Sequence, residues 1–230
     1  RSVRLVTPSP DQIAGLLHER DGVPADLAER AARLAQSHIG MARRLATDTE
    51  AMARRERTIE IALDVVTLSD AMRAAATLAR VAADDAAALA EQVDTREREE
   101  VLRGLGVAPG AAVPAALRVQ VRQLEELQKR RATRQLRDGI DRILTDLLSL
   151  HRDVLLTSLD AGRPLVNAEV ADRVSERAER VPVELTLDVI SAIEHARERI
   201  ARNVTPQFVL EALFATQIAG AVRSAREGVA

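Results

Sequence analysis

The chain lacks cysteine, tryptophan and tyrosine and has only two phenylalanines. Without cysteine, neither disulfide bridges nor thiolate metal ligands can form. With so few aromatic residues, the core must be built from Leu, Val, Ile and Ala, whereas strands favour more β-branched and aromatic residues. No long apolar segment and no signal peptide is visible, so we expect a cytoplasmic protein without a membrane span.

Lysine is also nearly missing, since Lys129 is the single lysine among 33 basic residues. Arginine favours bidentate pairing with carboxylate or phosphate, although codon bias in a GC-rich genome gives the same composition. The net charge is −2, so the whole molecule is not a basic nucleic-acid binder, and any such role must be local. A length of 230 residues allows one large helical domain or two unequal ones.

Three short helices are predicted within the first 50 residues. Ser9 to Gln12 form a capping box with Pro10 at the first helical position, and this helix ends near Gly22. A second helix begins after Pro24, and a third covers about 39–46. Together they predict a small satellite domain.

Longer helices follow. The pattern predicts a helix over 49–68 and a next one capped by Ser69 and Asp70. Residues 104–114 contain three glycines and two prolines, which predicts a loop. After the loop, a long helix begins near Ala115. The remaining helices are predicted at about 167–180, 183–203 and 205–226. No strand periodicity occurs, so the predicted class is all-α.

The long helix is predicted to reach about Leu159. Its apolar stripe has helical spacing, and the i,i+4 pairs Arg122–Glu126 and Glu125–Lys129 support it. Gly139 is a predicted weak point.

A basic cluster in this helix is the main candidate site. Its members are Lys129, Arg130, Arg131, Arg134 and Arg137. Two interpretations stay open: a solvated face balanced by acidic neighbours, or a contact with DNA phosphate or an acidic subunit surface. Aromatic residues do not interleave with the cluster, so stacking on single strands is not indicated.

No motif for catalysis, cofactor binding or metal binding emerges. The glycines at 104, 106 and 110 follow a helix rather than a strand, which argues against a dinucleotide loop. His151-Arg152-Asp153 matches three letters of the kinase catalytic loop without any other kinase element. The histidines His18, His38, His151 and His195 are scattered and are expected at the surface or partly buried. We therefore expect no enzyme, cofactor or metal site.

Two segments carry a resemblance to a known family. The segment 129–156 and the later pattern Asn203-Val204-x-Pro206-x-x-x-Leu210-Glu211-x-Leu213 resemble the C-terminal region of the delta-prime subunit of bacterial DNA polymerase III, in its actinobacterial form. Val3-x-Leu5-x-x-Pro8 resembles the exit from the ATPase-like domain of that family. The resemblance covers essentially the whole chain, although the clamp-loader ATPase subunits end in similar helices.

The resemblance implies a fold and partners. Residues 1–50 would be a three-helix lid domain and residues 51–230 a helical collar domain with the loop at 104–114, while an ATPase-like domain would lie upstream. The collar would join the delta and tau/gamma subunits of the clamp loader, which places the sliding clamp on primed DNA. The chain itself would be non-catalytic.

One position in the third helix bears on nucleotide sensing. Clamp-loader ATPases carry there an arginine that senses the γ-phosphate, and alignment on Leu45 places Gly40 at this sensor-2 position. The resemblance then implies a subunit that does not hydrolyse ATP. A shift of three residues would instead place Arg43 there.

Two alternative functions remain from the sequence. The chain could be a helical DNA-binding protein that uses the basic cluster, in which case its affinity would fall steeply with salt. It could also be the C-terminal region of a clamp-loader ATPase subunit.

Overall fold

A computed structural model describes residues 6–108 and 111–227, apart from the side chains of Leu89, Gln92 and residues 219–227. These residues form helices and loops without a strand, as predicted for an all-α protein. The helices are α1 (Pro10–Asp21), α2 (Ala25–Leu34), α3 (Ile39–Thr47), α4 (Thr49–Leu63), α5 (Leu68–Gly104), α6 (Arg118–Ser158), α7 (Ala171–Arg180), α8 (Val183–Ala201) and α9 (Pro206–Glu227). Short 3-10 turns precede α6 and α7.

Helices α1 to α3 pack on one another as a small three-helix unit. The predicted capping box is present, since the Ser9 hydroxyl accepts from the backbone of Gln12 and the Gln12 side chain accepts from the backbone of Ser9. Gly22 ends α1 in the left-handed region, with a φ of 69°. The unit has its own apolar cluster, which includes Ile13, Leu17 and, from α4, Met52.

The break between α4 and α5 differs from the prediction. Helix α4 ends at Leu63 rather than near Leu68, and the cap of α5 is Thr67 rather than Ser69. Asp70 completes this cap, because its carboxylate accepts from the Thr67 backbone while its own backbone donates to the Thr67 hydroxyl. The chain turns here because Val65 enters the core, where it is 3% exposed.

A second and larger apolar cluster fills the body of the molecule. Helix α5 packs against both α6 and α9, and α8 packs against α6 and α9. The largest fully buried side chains of this cluster come from α4, α5, α6, α8 and α9: Ile59, Leu78, Ile140, Leu144, Leu147, Leu150, Val154, Ile193, Leu210 and Phe214. The apolar stripe predicted for the long helix is therefore its core-facing side.

Gly139 does not interrupt α6, contrary to its prediction as a weak point. It lies where α6 crosses α5, and a Cβ atom added there would lie 3.4 Å from the Cβ of Ala82. The small residue allows the two helices to approach closely.

The distal halves of α5 and α6 form a two-helix arm, which we define as residues 87–104 and 118–137. Helix α5 contributes buried residues to the body cluster only as far as Ala82, and α6 only from Ile140, with the partly buried Leu136 packed against its edge. None of the described side chains in 87–104 is buried, and Val121 and Leu124 are the buried ones in 118–137. At 1.5 Å per residue, residues 87–104 extend about 27 Å. The described residues of 104–114 contain no helix apart from Gly104, as predicted.

Candidate functional site

The basic cluster lies on the α6 side of the arm, and the structure divides its members. Arg131 faces α5, where its guanidinium lies 3.1 Å from Asp94 and 3.0 Å from Glu97. The hydrogen bond with Arg131 lowers the pKa of Glu97, and the same bond raises the pKa of Arg131. Arg131 therefore joins the two helices of the arm.

Arg137 also has a partner within the chain. Its guanidinium donates to the side-chain oxygen of Asn203, which lies in the turn between α8 and α9. Asn203 has a φ of 65°, a left-handed conformation that asparagine tolerates. Arg137 thus connects the base of the arm to the α8–α9 turn, and it is half-buried.

The remaining members, Lys129, Arg130 and Arg134, are exposed. In the described part of the chain, no carboxylate oxygen lies within 4 Å, the limit for an ion pair, of any of these three side chains. Arg130 and Arg134 are one turn apart and share a side of α6. The ion pairs predicted along α6 do not form at this distance, and Glu125 instead lies 2.7 Å from Arg98 of α5.

Gly40 lies in the first turn of α3 and is exposed. The ring of His38 caps this helix by accepting from the backbone of Met41 at 3.0 Å, and a Cβ atom on Gly40 would lie 3.4 Å from that ring. Arg43, the alternative sensor-2 residue, is exposed and lies 3.4 Å from Asp21. The assignment of Gly40 or Arg43 to a nucleotide-sensing position stays a prediction.

A buried polar junction, which sequence reasoning missed, joins the three-helix unit to the body. At its centre is Arg55 of α4, which is 6% exposed. Its guanidinium donates to Ser149 at 3.1 Å and to the Asn167 side chain at 2.7 Å, and it lies 3.3 Å from Asp146. Burial lowers the pKa of Arg55, while the neighbouring carboxylates raise it.

Asp153 organises the other side of the junction, although it has no exposed surface. Its carboxylate accepts from the backbone amides of Val166 at 3.1 Å and Asn167 at 2.7 Å, and from the Asn167 side chain at 2.8 Å. Val166 in turn belongs to the apolar cluster of the three-helix unit. The loop after α6 is therefore fixed to both parts of the molecule.

Ion pairs reinforce the junction at its surface. Glu169 lies 3.0 Å from Arg30 and 2.6 Å from Arg33, both on α2, and Arg30 also lies 2.6 Å from Glu56 on α4. These groups are partly exposed, and several charges in one network are more effective than isolated surface pairs.

Two further titratable groups are shifted by burial. Desolvation raises the pKa of Asp146 to about 6, against the opposing effect of Arg55. His151 is 4% exposed, and desolvation followed by the charge of Arg177 lowers its pKa to about 3. His151 is thus a buried neutral ring, which corrects the expectation that it is at the surface or partly buried.

Sequence signals for the junction were weak. Arg55 occurs on a helix with several other arginines, and its partners are about a hundred residues away in the chain. The triplet 151–153 matches three letters of the kinase catalytic loop, but in the fold Asp153 holds the loop after α6. An aspartate and an asparagine separated by 14 residues, on either side of a predicted helix end, are the only local signal.

The buried junction holds the three-helix unit and the body together. Among the described residues, no group of three or more His, Asp or Glu side chains is suited to a metal ion. No described helix is long and apolar enough to cross a membrane. No protein-family model, curated protein or solved structure matches the chain.

Proposed function

We propose that this chain is a non-catalytic part of a clamp-loader subunit of the delta-prime type, which acts in the cytoplasm and holds the loader together through its larger helical body. The observation that carries the proposal is the order of the two apolar clusters. A three-helix unit comes first and a larger helical body second, in the order that the resemblance implies for lid and collar.

The second resembling segment supports the proposal through its packing. Leu210 and Leu213 of that segment are buried in the body cluster, at 0% and 3% exposure, and Asn203 forms the turn that receives Arg137. The residues that carry the resemblance thus have defined structural roles.

Exposed apolar side chains on α8, on the α8–α9 turn and at the start of α9 support a contact with other subunits. Phe208 is 63% exposed, Leu187 46% and Val204 40%. Aromatic side chains are enriched at the centres of protein interfaces, where their burial contributes most of the binding free energy. We place the subunit contact on the surface around Phe208.

A pull-down experiment tests this proposal. The immobilised chain should retain purified collar regions of the delta and tau/gamma subunits, and Phe208→Glu should reduce that retention at least about tenfold, because a carboxylate would be desolvated in the contact. Val119→Glu is the matched control, since Val119 is a 65% exposed apolar residue on the arm.

Two results of this experiment would contradict different parts of the proposal. If the unchanged chain retains neither partner, the clamp-loader proposal is wrong. If both variants bind as the unchanged chain does, the surface around Phe208 is the wrong contact.

The exposed trio Lys129, Arg130 and Arg134 favours one second candidate, a local contact with DNA phosphate. Binding to duplex or primed DNA should then weaken steeply with added salt and should be lost when all three residues are changed to Gln. Absence of DNA binding by the unchanged chain at low salt would exclude this candidate.

A further inference from the structure

A cleft of about 440 Å³ lies between the three-helix unit and the body. Its walls come from the end of α2, the α2–α3 turn, α3, α4, α5 and α6, with Arg197 of α8 at one edge. Part of the lining is apolar and includes Leu34, Met41 and Leu148. A volume of this size lies within the range of small-molecule sites.

Most of the charged groups in the cleft are paired with each other. Four arginines have a carboxylate within 4 Å: Arg55 with Asp146 at 3.3 Å, Arg54 with Asp85 at 3.0 Å, Arg197 with Asp141 at 2.9 Å, and Arg44 with Asp48 at 3.8 Å. These pairs account for every acidic side chain of the lining, which are Asp85, Asp141 and Asp146.

Arg142 is the exception. Its half-buried guanidinium belongs to the lining, and within residues 6–108 and 111–227 it has neither an ion pair nor a hydrogen bond. Burial lowers its pKa, and the positive charges of Arg44 and Arg54 lower it further, while Asp138 and Asp85 oppose them from beyond pairing distance. A partly desolvated guanidinium that no carboxylate pairs with directly is a site that an anion would stabilise.

A smaller adjoining cavity of about 350 Å³ shares Arg44 and Arg142. It is also lined by Gln135, whose side-chain oxygen is buried without a hydrogen-bond partner. This oxygen is an acceptor, so a ligand group with an O–H or N–H donor would satisfy it. An unpartnered amide oxygen in a cavity that Arg142 also lines is an independent sign that a polar ligand group completes the site.

We propose that the cleft binds a small organic anion. Its acid group, a phosphate or a carboxylate, pairs with the Arg142 guanidinium through two parallel hydrogen bonds, and Arg44 donates from the other side. The apolar part of the ligand lies against Leu34, Met41 and Leu148. Bound there, the ligand contacts both the three-helix unit and the body, and it stabilises the arrangement of the two.

Calorimetric titration of the full chain tests the proposal, with phenyl phosphate and phenylacetate as separate probes for the two acid groups. At least one probe should bind saturably, whereas phenol, which lacks the acid group, should not bind. Arg142→Gln should weaken binding at least about tenfold, which corresponds to about 1.4 kcal/mol. Arg122→Gln is the matched control, because Arg122 is an exposed arginine on the arm portion of the same helix.

The variants should fold, because replacing Arg142 breaks no ion pair in the described part of the chain. Thermal unfolding followed by circular dichroism at 222 nm checks this, since the chain has no tryptophan or tyrosine for fluorescence. Arg142→Lys keeps the charge without the planar fork, so its affinity should be intermediate. Equal affinity of the unchanged chain and folded Arg142→Gln would overturn the proposal, as would the absence of saturable binding of both probes up to about 10 mM.

Discussion

Asp153 is an ionisable side chain without exposed surface, and its hydrogen bonds explain how it can be there. Two backbone amides and the Asn167 side chain donate to its carboxylate, so its oxygens are satisfied after burial. Arg55 donates to the same Asn167 from the α4 side. Arg55, Asn167 and Asp153 therefore belong to one connected buried network.

Replacing Asp153 should be strongly destabilising. Asp153→Ala would leave the amides of Val166 and Asn167 buried without acceptors, so we expect the free energy of unfolding to fall by roughly 3–5 kcal/mol. Urea unfolding followed by circular dichroism measures this. Asp84→Ala removes an exposed aspartate from α5 and should change stability by less than about 0.5 kcal/mol. Similar small effects of both changes would contradict this role for Asp153.

His151 makes stability depend on pH. Its pKa is about 3 in the folded chain, whereas an exposed histidine has a pKa of 6.5, so the unfolded chain binds a proton that the folded chain excludes. Its contribution to stability therefore falls as the pH decreases from 6.5 toward 3. Asp146 acts in the opposite sense: its pKa is raised from 3.8 to about 6, so its contribution falls as the pH rises through that window.

Substituting His151 separates the two effects. The free energy of unfolding of His151→Gln minus that of the unchanged chain should be about 2–3 kcal/mol larger at pH 4.5 than at pH 7.5, because only the unchanged chain is destabilised by protonation of the ring. Urea unfolding at the two pH values measures the difference. His195→Gln removes an exposed histidine and should show no such change. A relative stability of His151→Gln that does not change with pH would show that burial of the ring does not govern the pH dependence.

At the scale of elements, the arm is separable from the body. Both helices leave the body cluster at the crossing of Ala82 and Gly139, and the arm beyond is held by a few apolar contacts and by pairs such as Arg131 with Glu97. Coupling between the arm and the body should therefore be weak.

Removal of residues 88–133, replaced by a short Gly/Ser linker, should leave the thermal midpoint of the body within a few degrees of the unchanged value. Helical signal should fall in proportion to the residues removed. Removing 81–140 instead deletes Ala82 and Ile140 from the core and should abolish cooperative unfolding. Circular dichroism on both deletions makes the comparison, and loss of cooperative unfolding in the shorter deletion would show that the arm is part of the core.

Local signals determined which elements could be predicted. The Ser9 capping box, Gly22 and the glycine- and proline-rich segment at 104–114 lie next to the boundaries they set. The predicted end of α4 lies too far along the chain because Val65 and Val66 continue the apolar pattern. The start of α5 is ambiguous in the sequence, because Thr67 and Ser69 are both residues that can cap a helix, and both precede Asp70 closely. Helical periodicity alone could not choose between these two starts.

The candidate site was less predictable because its contacts join distant parts of the chain. That Arg131 meets Asp94 depends on the register of the α5–α6 pair, and that Arg137 meets Asn203 depends on where α8 ends. The sequence therefore predicts the basic cluster, but which of its members are paired and which are exposed can be read only from the fold.

At the scale of the whole molecule, α4 links the two apolar clusters. Met52 in its first turns belongs to the three-helix unit, while Ile59 and Ala62 belong to the body. The predicted boundary at residue 50 falls in the first turn of this helix. A continuous helix, the Arg55 network and the Glu169 pairs together connect the two units in one fixed arrangement.

Assembly with other subunits is the central claim about the whole molecule. Sedimentation velocity of this chain mixed in equal amounts with the collar regions of delta and tau/gamma measures it most directly. We predict a single species at micromolar concentration that contains all of the components, with a mass above the 25.0 kDa of this chain. Separate boundaries at the masses of the individual chains would contradict the claim.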